Sequence, residues 1–143
     1  MNYFTYTTLL KIHDKVLVFS GGMAGVKDKG LLESPLEFIM DDEYYPDLAD
    51  KLTHLVYSLI KNHGFNDGNK RTALASGALL LMLNGYDNFI QYYFLMFEQV
   101  TVLVANNKIS KDQLNTLFTD MVQEGELKES SKLVIVEALT EKL

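Results

Sequence analysis

A chain of 143 residues with no cysteine has room for one domain with a real core, and it excludes disulfides and thiolate metal sites. Apolar residues make up 48%, the share of a globular protein rather than a disordered one. The net charge of −6 argues against nonspecific binding of DNA or RNA, which relies on a cationic surface.

Taken in chain order, the apolar pattern is helical almost throughout. Leu9, Leu10, Ile12, Val16, Leu17 and Phe19 predict a first amphipathic helix, stopped by Ser20-Gly21-Gly22. A glycine-bearing loop is expected over Gly21 to Gly30. Leu31, Leu32, Leu36 and Ile39 predict a short helix, with Pro35 in its first turn or as a break. After a loop from Asp41 to Pro46, Asp47 is placed to cap a helix running to about Asn62. Leu48, Leu52, Leu55, Val56, Leu59 and Ile60 then share one face, and His63-Gly64 ends the run.

A second long helix is expected from Asn69 to Leu83. It is apolar nearly all round, which predicts a central, buried helix, and Asn84-Gly85 is its stop. The apolar run Ala73 to Leu83 is shorter than the roughly 20 residues that a membrane span needs. Another helix is expected over about Phe89 to Ala105. Ser110 with Gln113 three residues on is a capping box, opening a helix that shows Leu114, Leu117, Phe118, Met121 and Val122 on one face. From Gln123 the composition turns charged and small, and Leu133 to Leu139 reads equally as helix or strand. The expected fold is an all-α bundle of about six or seven helices. The N-terminus has no basic stretch followed by an apolar run, so no signal peptide is expected, and a soluble cytoplasmic protein without membrane or nucleic-acid partners is the simplest reading.

The run His63-Gly64-Phe65-Asn66-Asp67-Gly68-Asn69-Lys70-Arg71 carries the chemistry. It lies between two strongly apolar helical segments, and the stretch Lys61 to Arg71 is locally basic in an acidic chain. His63, an imidazole fixed at a helix end, is a candidate general base. Asp67 offers a hard oxygen ligand for Mg²⁺, which binds carboxylates together with substrate phosphates. Gly68 lets a ligand approach the backbone where a helix start presents free N–H groups to phosphate. Asn69, Lys70 and Arg71 stand at the same place, and the two cations suit phosphate oxygens. Phe65, flanked by polar residues, is expected to turn inward and anchor the loop. Each residue alone has an ordinary explanation, as a helix cap, a turn or a solvated cation. The loop is not a P-loop, because Gly64 and Gly68 stand one residue too close and Asn69 precedes Lys70. His13 and His54 read as structural or solvated rather than catalytic. A helix-turn-helix reading is poor, because the helix from Asn69 is apolar after Arg71 and has little to read bases with.

This run resembles the Fic/Doc (Fido) signature, His-Pro-Phe-x-Asp/Glu-Gly-Asn-Gly-Arg, with Gly64 in place of proline and Lys70 in place of the last glycine. Asn69-Lys70-Arg71 looks like the Doc, or death-on-curing, branch. Ile12-His13-Asp14, Gly21-Gly22, Gly25-x-x-Asp28 and Leu31-Leu32-Glu33-Ser34 resemble the N-terminal part of Doc proteins, and the likeness runs to about residue 122. It implies a domain over 1–122 and an extension of unknown role over 123–143. It further implies an all-α fold, with Gly21–Gly30 as a flap, possible as a short hairpin, that docks a target chain by strand-like pairing. By motif position His63 is implied as general base and Asp67 as the Mg²⁺ ligand. Gly68, Asn69, Lys70 and Arg71 are implied to hold ATP phosphate, and Phe65 to be the anchor. The implied activity is that of a Doc-type toxin, an ATP-dependent protein kinase acting on a hydroxyl of a protein target such as a translation elongation factor. An antitoxin partner would hold it in check, since Thr119 to Glu124 is one residue too long for the built-in inhibitory pattern. The alternatives are a Fic-type transfer of AMP and an inactive Fido binding module. Lys70, and Leu74 where AMP-transferring members carry a second arginine, favour the kinase.

Overall fold

In a computed structural model, residues 1–140 are described, and they fold as a helical bundle. The helices are α1 (Tyr6–Ser20), α2 (Lys29–Phe38), α3 (Leu48–Lys61), α4 (Asn69–Leu83), α5 (Ile90–Ala105), α6 (Lys111–Glu124) and α7 (Glu129–Thr140). A single 3₁₀ turn, Asp87–Phe89, leads into α5. The all-α expectation holds. The last three residues of the expected 123–143 extension lie outside the described residues.

Local chemistry sets most helix starts. Thr5, Asp28, Asp47 and Ser110 each accept a backbone N–H three residues on, which satisfies one of the orphan donors of the first turn. At Ser110 both halves of the capping box form. The Asp28 cap starts α2 at Lys29, so Gly30 belongs to that helix rather than to the loop. Pro35 neither opens nor breaks α2. It lies inside, and the helix continues to Phe38. The ambiguous Leu133–Leu139 run is helical. Its helix is tied to α6 by the buried Asp120, which accepts from Lys128 N–H at 3.0 Å and from the Ser131 hydroxyl.

The hub is α3, which packs against α2, α4, α5 and α6, while α4 lies between α1, α3 and α5. Leu52, Leu55, Val56 and Leu59 of α3 meet Ala73, Leu80 and Leu81 of α4 in one continuous core. Gly77 lets α5 come close. A Cβ there would sit 2.3 Å from the Tyr93 hydroxyl, which donates to Leu74 O at 2.7 Å. Tyr93, Phe97 and Phe118 stack beneath, with centroids 5.0 and 4.7 Å apart along the chain of rings. This packing fixes the end of α3 relative to the start of α4, and so the span of the loop between them. No helix among the described residues is long and apolar enough to cross a membrane.

Candidate active site

The seven residues from Asn62 to Gly68 join α3 to α4, and the loop is organised by its own polar groups. Asn69, the first residue of α4, reaches back over it. Its Oδ1 accepts from Phe65 N–H at 3.0 Å and its Nδ2 donates to Phe65 O at 3.0 Å. That reciprocal pair closes the loop into a tight arch. Phe65 turns inward, 2% exposed, and stacks face to face on the His13 ring of α1, with centroids 3.7 Å apart and planes 4° from parallel. His13 Nε2 lies 2.8 Å from Asp67 O. A carbonyl only accepts, so His13 carries its proton on Nε2.

Gly68 ends the arch in the left-handed region, φ 76° and ψ 18°, where glycine pays no Cβ penalty. No side chain caps α4. The first N–H groups of this helix are therefore left for an outside acceptor, at the positive end of its dipole. Lys70 and Arg71 are exposed beside them.

The segment between α1 and α2 lies along the outer side of the arch. Val26 and Phe65 form a single antiparallel bridge rather than a hairpin, and among the described residues no strand longer than this forms. Lys27 and Asp28 N–H donate to Gly64 O at 2.8 and 3.0 Å, and Asn66 N–H donates to Gly25 O at 3.0 Å. Asn66 Nδ2 donates to Ala24 O at 3.1 Å. Close approach requires small residues here. A Cβ on Gly25 would stand 2.5 Å from Asn66 Nδ2, and one on Gly22 would stand 2.7 Å from Asp67 Oδ2. The flap is thereby laid over the loop, with Met23 65% exposed at its tip.

The Asp67 carboxylate stands between flap and helix. Oδ2 accepts from Met23 N–H at 3.0 Å, and Oδ1 from Gly68 N–H at 2.8 Å. These bonds hold its carboxyl below the ordinary carboxylate range, Met23 first and Gly68 next, with the Arg71 charge adding to them. Each oxygen takes one N–H and keeps a further lone pair. Among the described residues no three His, Asp or Glu side chains gather as a metal cage. One ionised carboxylate beside open phosphate donors is instead the donor set of an Mg²⁺ ion shared with a substrate's phosphates, and it fits that ion.

His63 follows the α3 C-cap, Asn62, in a left-handed conformation with φ 51°. Its imidazole is exposed and has no hydrogen-bond partner among the described residues. The α3 C-terminus thus delivers the ring to solvent at the lip of the arch. His54 lies elsewhere, half-buried, with its Nδ1 3.1 Å from both Tyr45 Oη and Lys111 Nζ. His13, read from the sequence as structural or solvated, is buried and bonded to the arch, a contact the sequence did not predict. It falls four residues after the fully buried Leu9, on the inner face of α1, and that single polar residue on an apolar face was the available signal.

Beside the site runs an apolar groove of about 420 Å³ between α1, α4 and α5. Ile12, Val16, Phe19, Leu74 and Phe94 line it, together with the cations Lys15 and Arg71. Phe19 is 91% exposed.

A sequence model of the Fic/DOC family matches residues 3–81, which hold α1 to α3, most of α4 and the whole arch. The chain is 42% identical over 69 residues to the toxin Doc of Mycolicibacterium smegmatis, a stretch that covers 46% of this chain and 53% of that protein. It is 33% identical over 93 residues to the protein kinase doc of Escherichia phage P1, covering 62% and 73% respectively. The chain thus spans about half the length of the first relative and about three quarters of the second.

Proposed function

Because the chain belongs to the Fic/DOC family, we propose that it is a Doc-type toxin that transfers the γ-phosphate of ATP to a hydroxyl of a target protein. The observation that carries this reading is the arch itself. One short loop puts an unpartnered imidazole, an ionised carboxylate and an uncapped helix start beside two cations.

The residues divide the work as follows. His63 takes the proton from the target hydroxyl as its oxygen bonds to the γ-phosphorus and the bond to the β,γ-bridging oxygen breaks. The free, solvent-facing ring is suited to meeting a hydroxyl brought by another chain. Asp67 would hold Mg²⁺, which would supply positive charge against the phosphate oxygens. The N–H groups after Gly68, with Lys70 and Arg71, orient those oxygens and receive the growing negative charge. Asn69 contributes mainly by closing the arch, with one amide hydrogen left for a phosphate oxygen. Phe65 anchors the arch from inside.

The flap is proposed to receive the target. Its inner edge is taken up by the arch, while the outer N–H and C=O groups at Val26 are free to pair with an extended segment. A translation elongation factor is the proposed target, as the family resemblance implies. An antitoxin is the proposed partner, and the groove, with its apolar lining and the cations Lys15 and Arg71, suits an acidic amphipathic helix. The cytoplasm follows from such a target.

Transfer of AMP would use the same His63 and Asp67. Two features weigh against it. Lys70 stands where a glycine would open a second phosphate cradle, and Leu74, an apolar side chain, stands where AMP-transferring members carry a second arginine. Induced expression tests the reading. Growth arrest that disappears with His63→Ala, together with a protein that gains the mass of one phosphate, supports it. Gain of one AMP would assign the alternative, and arrest that survives His63→Ala would indicate a binding module.

A further inference from the structure

We propose that His13 is a positioning residue of this site, which pins the Asp67–Gly68 peptide so that its carbonyl faces the core and its N–H faces the phosphate side. The inference rests on the reading of the arch as a phosphate site and adds a residue to it from a helix 54 positions away.

A trans peptide holds its C=O and N–H on opposite sides of one plane. Fixing one therefore fixes the other. His13 Nε2–H donates to Asp67 O at 2.8 Å from below, and Gly68 N–H donates to Asp67 Oδ1 at 2.8 Å from above. Without the lower bond, the peptide is held only by the bond from Gly68 N–H to Asp67 Oδ1. Its second residue is Gly68, already in the left-handed region, and glycine crosses between backbone regions at low cost. A turned peptide would bury the N–H, leave Asp67 O facing the phosphate, and release Oδ1 of the carboxylate.

The His13 ring is itself well fixed. It is 3% exposed and stacks on Phe65 within 4° of parallel. A Cβ on Gly68 would lie 3.6 Å from Nε2, so the ring and the start of α4 are in direct contact. Packing alone would be served by an apolar ring. The histidine adds a donor aimed at a carbonyl that would otherwise be left without a partner.

Two variants separate pinning from packing. His13→Phe keeps a stacked ring and removes the donor. His13→Gln keeps an N–H donor at similar reach and removes the ring. Both are compared with the wild type by melting temperature, by the Gly68 amide position in a ¹⁵N correlation spectrum, and by kcat and KM for transfer from Mg·ATP. We expect His13→Phe to melt cooperatively, to shift the Gly68 amide and to lose about 100-fold in kcat/KM, with His13→Gln restoring part of both. A His13→Phe protein with an unmoved Gly68 amide would overturn the proposal, and so would equal losses in both variants. If neither variant folds, the imidazole nitrogens of wild-type His13 decide. A proton on Nδ1 and a bare Nε2 would contradict the bond, whereas a proton on Nε2 supports it. A wild type that transfers nothing from ATP would defeat the functional reading, while the amide and tautomer measurements would still judge His13.

Discussion

The backbone N–H of Met23 donates to Asp67 Oδ2 at 3.0 Å, so the carboxylate assigned to the metal also fastens the flap. Two functions of the site meet on one side chain. Asparagine offers one acceptor oxygen where the carboxylate offers two, so Asp67→Asn leaves either Met23 or Gly68 without a partner. Faster hydrogen exchange at the Met23 and Gly68 amides is expected, together with loss of Mg²⁺-dependent transfer. Unchanged exchange at both amides would show that the flap is held without Asp67.

Gly64 stands where the family usually has proline, and the packing shows why a side chain is unwelcome. A Cβ at this position would lie 2.4 Å from Leu32 Cδ2 and 2.6 Å from its Cγ, with Leu32 fully buried in the core. The Gly64 carbonyl also receives Lys27 and Asp28 N–H, so any shift displaces the flap. Gly64→Ala is expected to destabilise by about 1–3 kcal/mol in urea unfolding, the usual cost of overpacking. Pairing it with Leu32→Val should recover part of that loss.

The His54 environment predicts a pH dependence of stability. Lys111 is a donor only, so His54 Nδ1 must accept, and the neutral ring is required. Burial, and then the Lys111 charge, lower its pKa to about 4 from an ordinary 6.5. Between these values the unfolded chain binds the proton and the folded one does not. Stability is therefore complete above pH 6.5 and falls as the pH drops toward 4. The urea midpoint is expected to fall from pH 7 to pH 5, and to fall less in His54→Gln. Equal slopes in both proteins would remove His54 from the account.

Arg71 is exposed at the first turn of α4, where the proposed site would take phosphate. Arg71→Ala is expected to lower kcat/KM by about 100-fold, the scale of losing one preorganised donor to developing charge. Its melting temperature should stay within a degree or two of the wild type, as for surface substitutions in general. A large loss of stability instead would reassign Arg71 to the fold.

Much of this architecture was legible because its signals are local. Asp47 and Ser110 cap where the sequence places them, and the 4-3-1-3-1 spacing from Leu48 to Ile60 marks the buried face of α3. The motif loop was legible for the same reason, since its residues are consecutive. Two misses are local: Pro35 stays inside α2, and the Asp28 cap draws Gly30 into that helix. The others come from contacts distant in sequence. The run Leu133 to Leu139 gave no decision between helix and strand, and the structure ties the start of its helix to Asp120 through Lys128 and Ser131, 8 and 11 residues on. The flap meets the loop across some 40 residues, and nothing local predicts that it pairs through one bridge instead of a hairpin. His13 was seen on α1, but its bond to Asp67 spans 54 positions.

The most direct test of the account is paired labelling of a bacterial lysate with γ-labelled and α-labelled ATP, using the wild type and His63→Ala. The account predicts a protein band labelled from the γ position only, and absent with His63→Ala. Label from the α position would contradict phosphoryl transfer, and label that persists without His63 would contradict the assignment of the base.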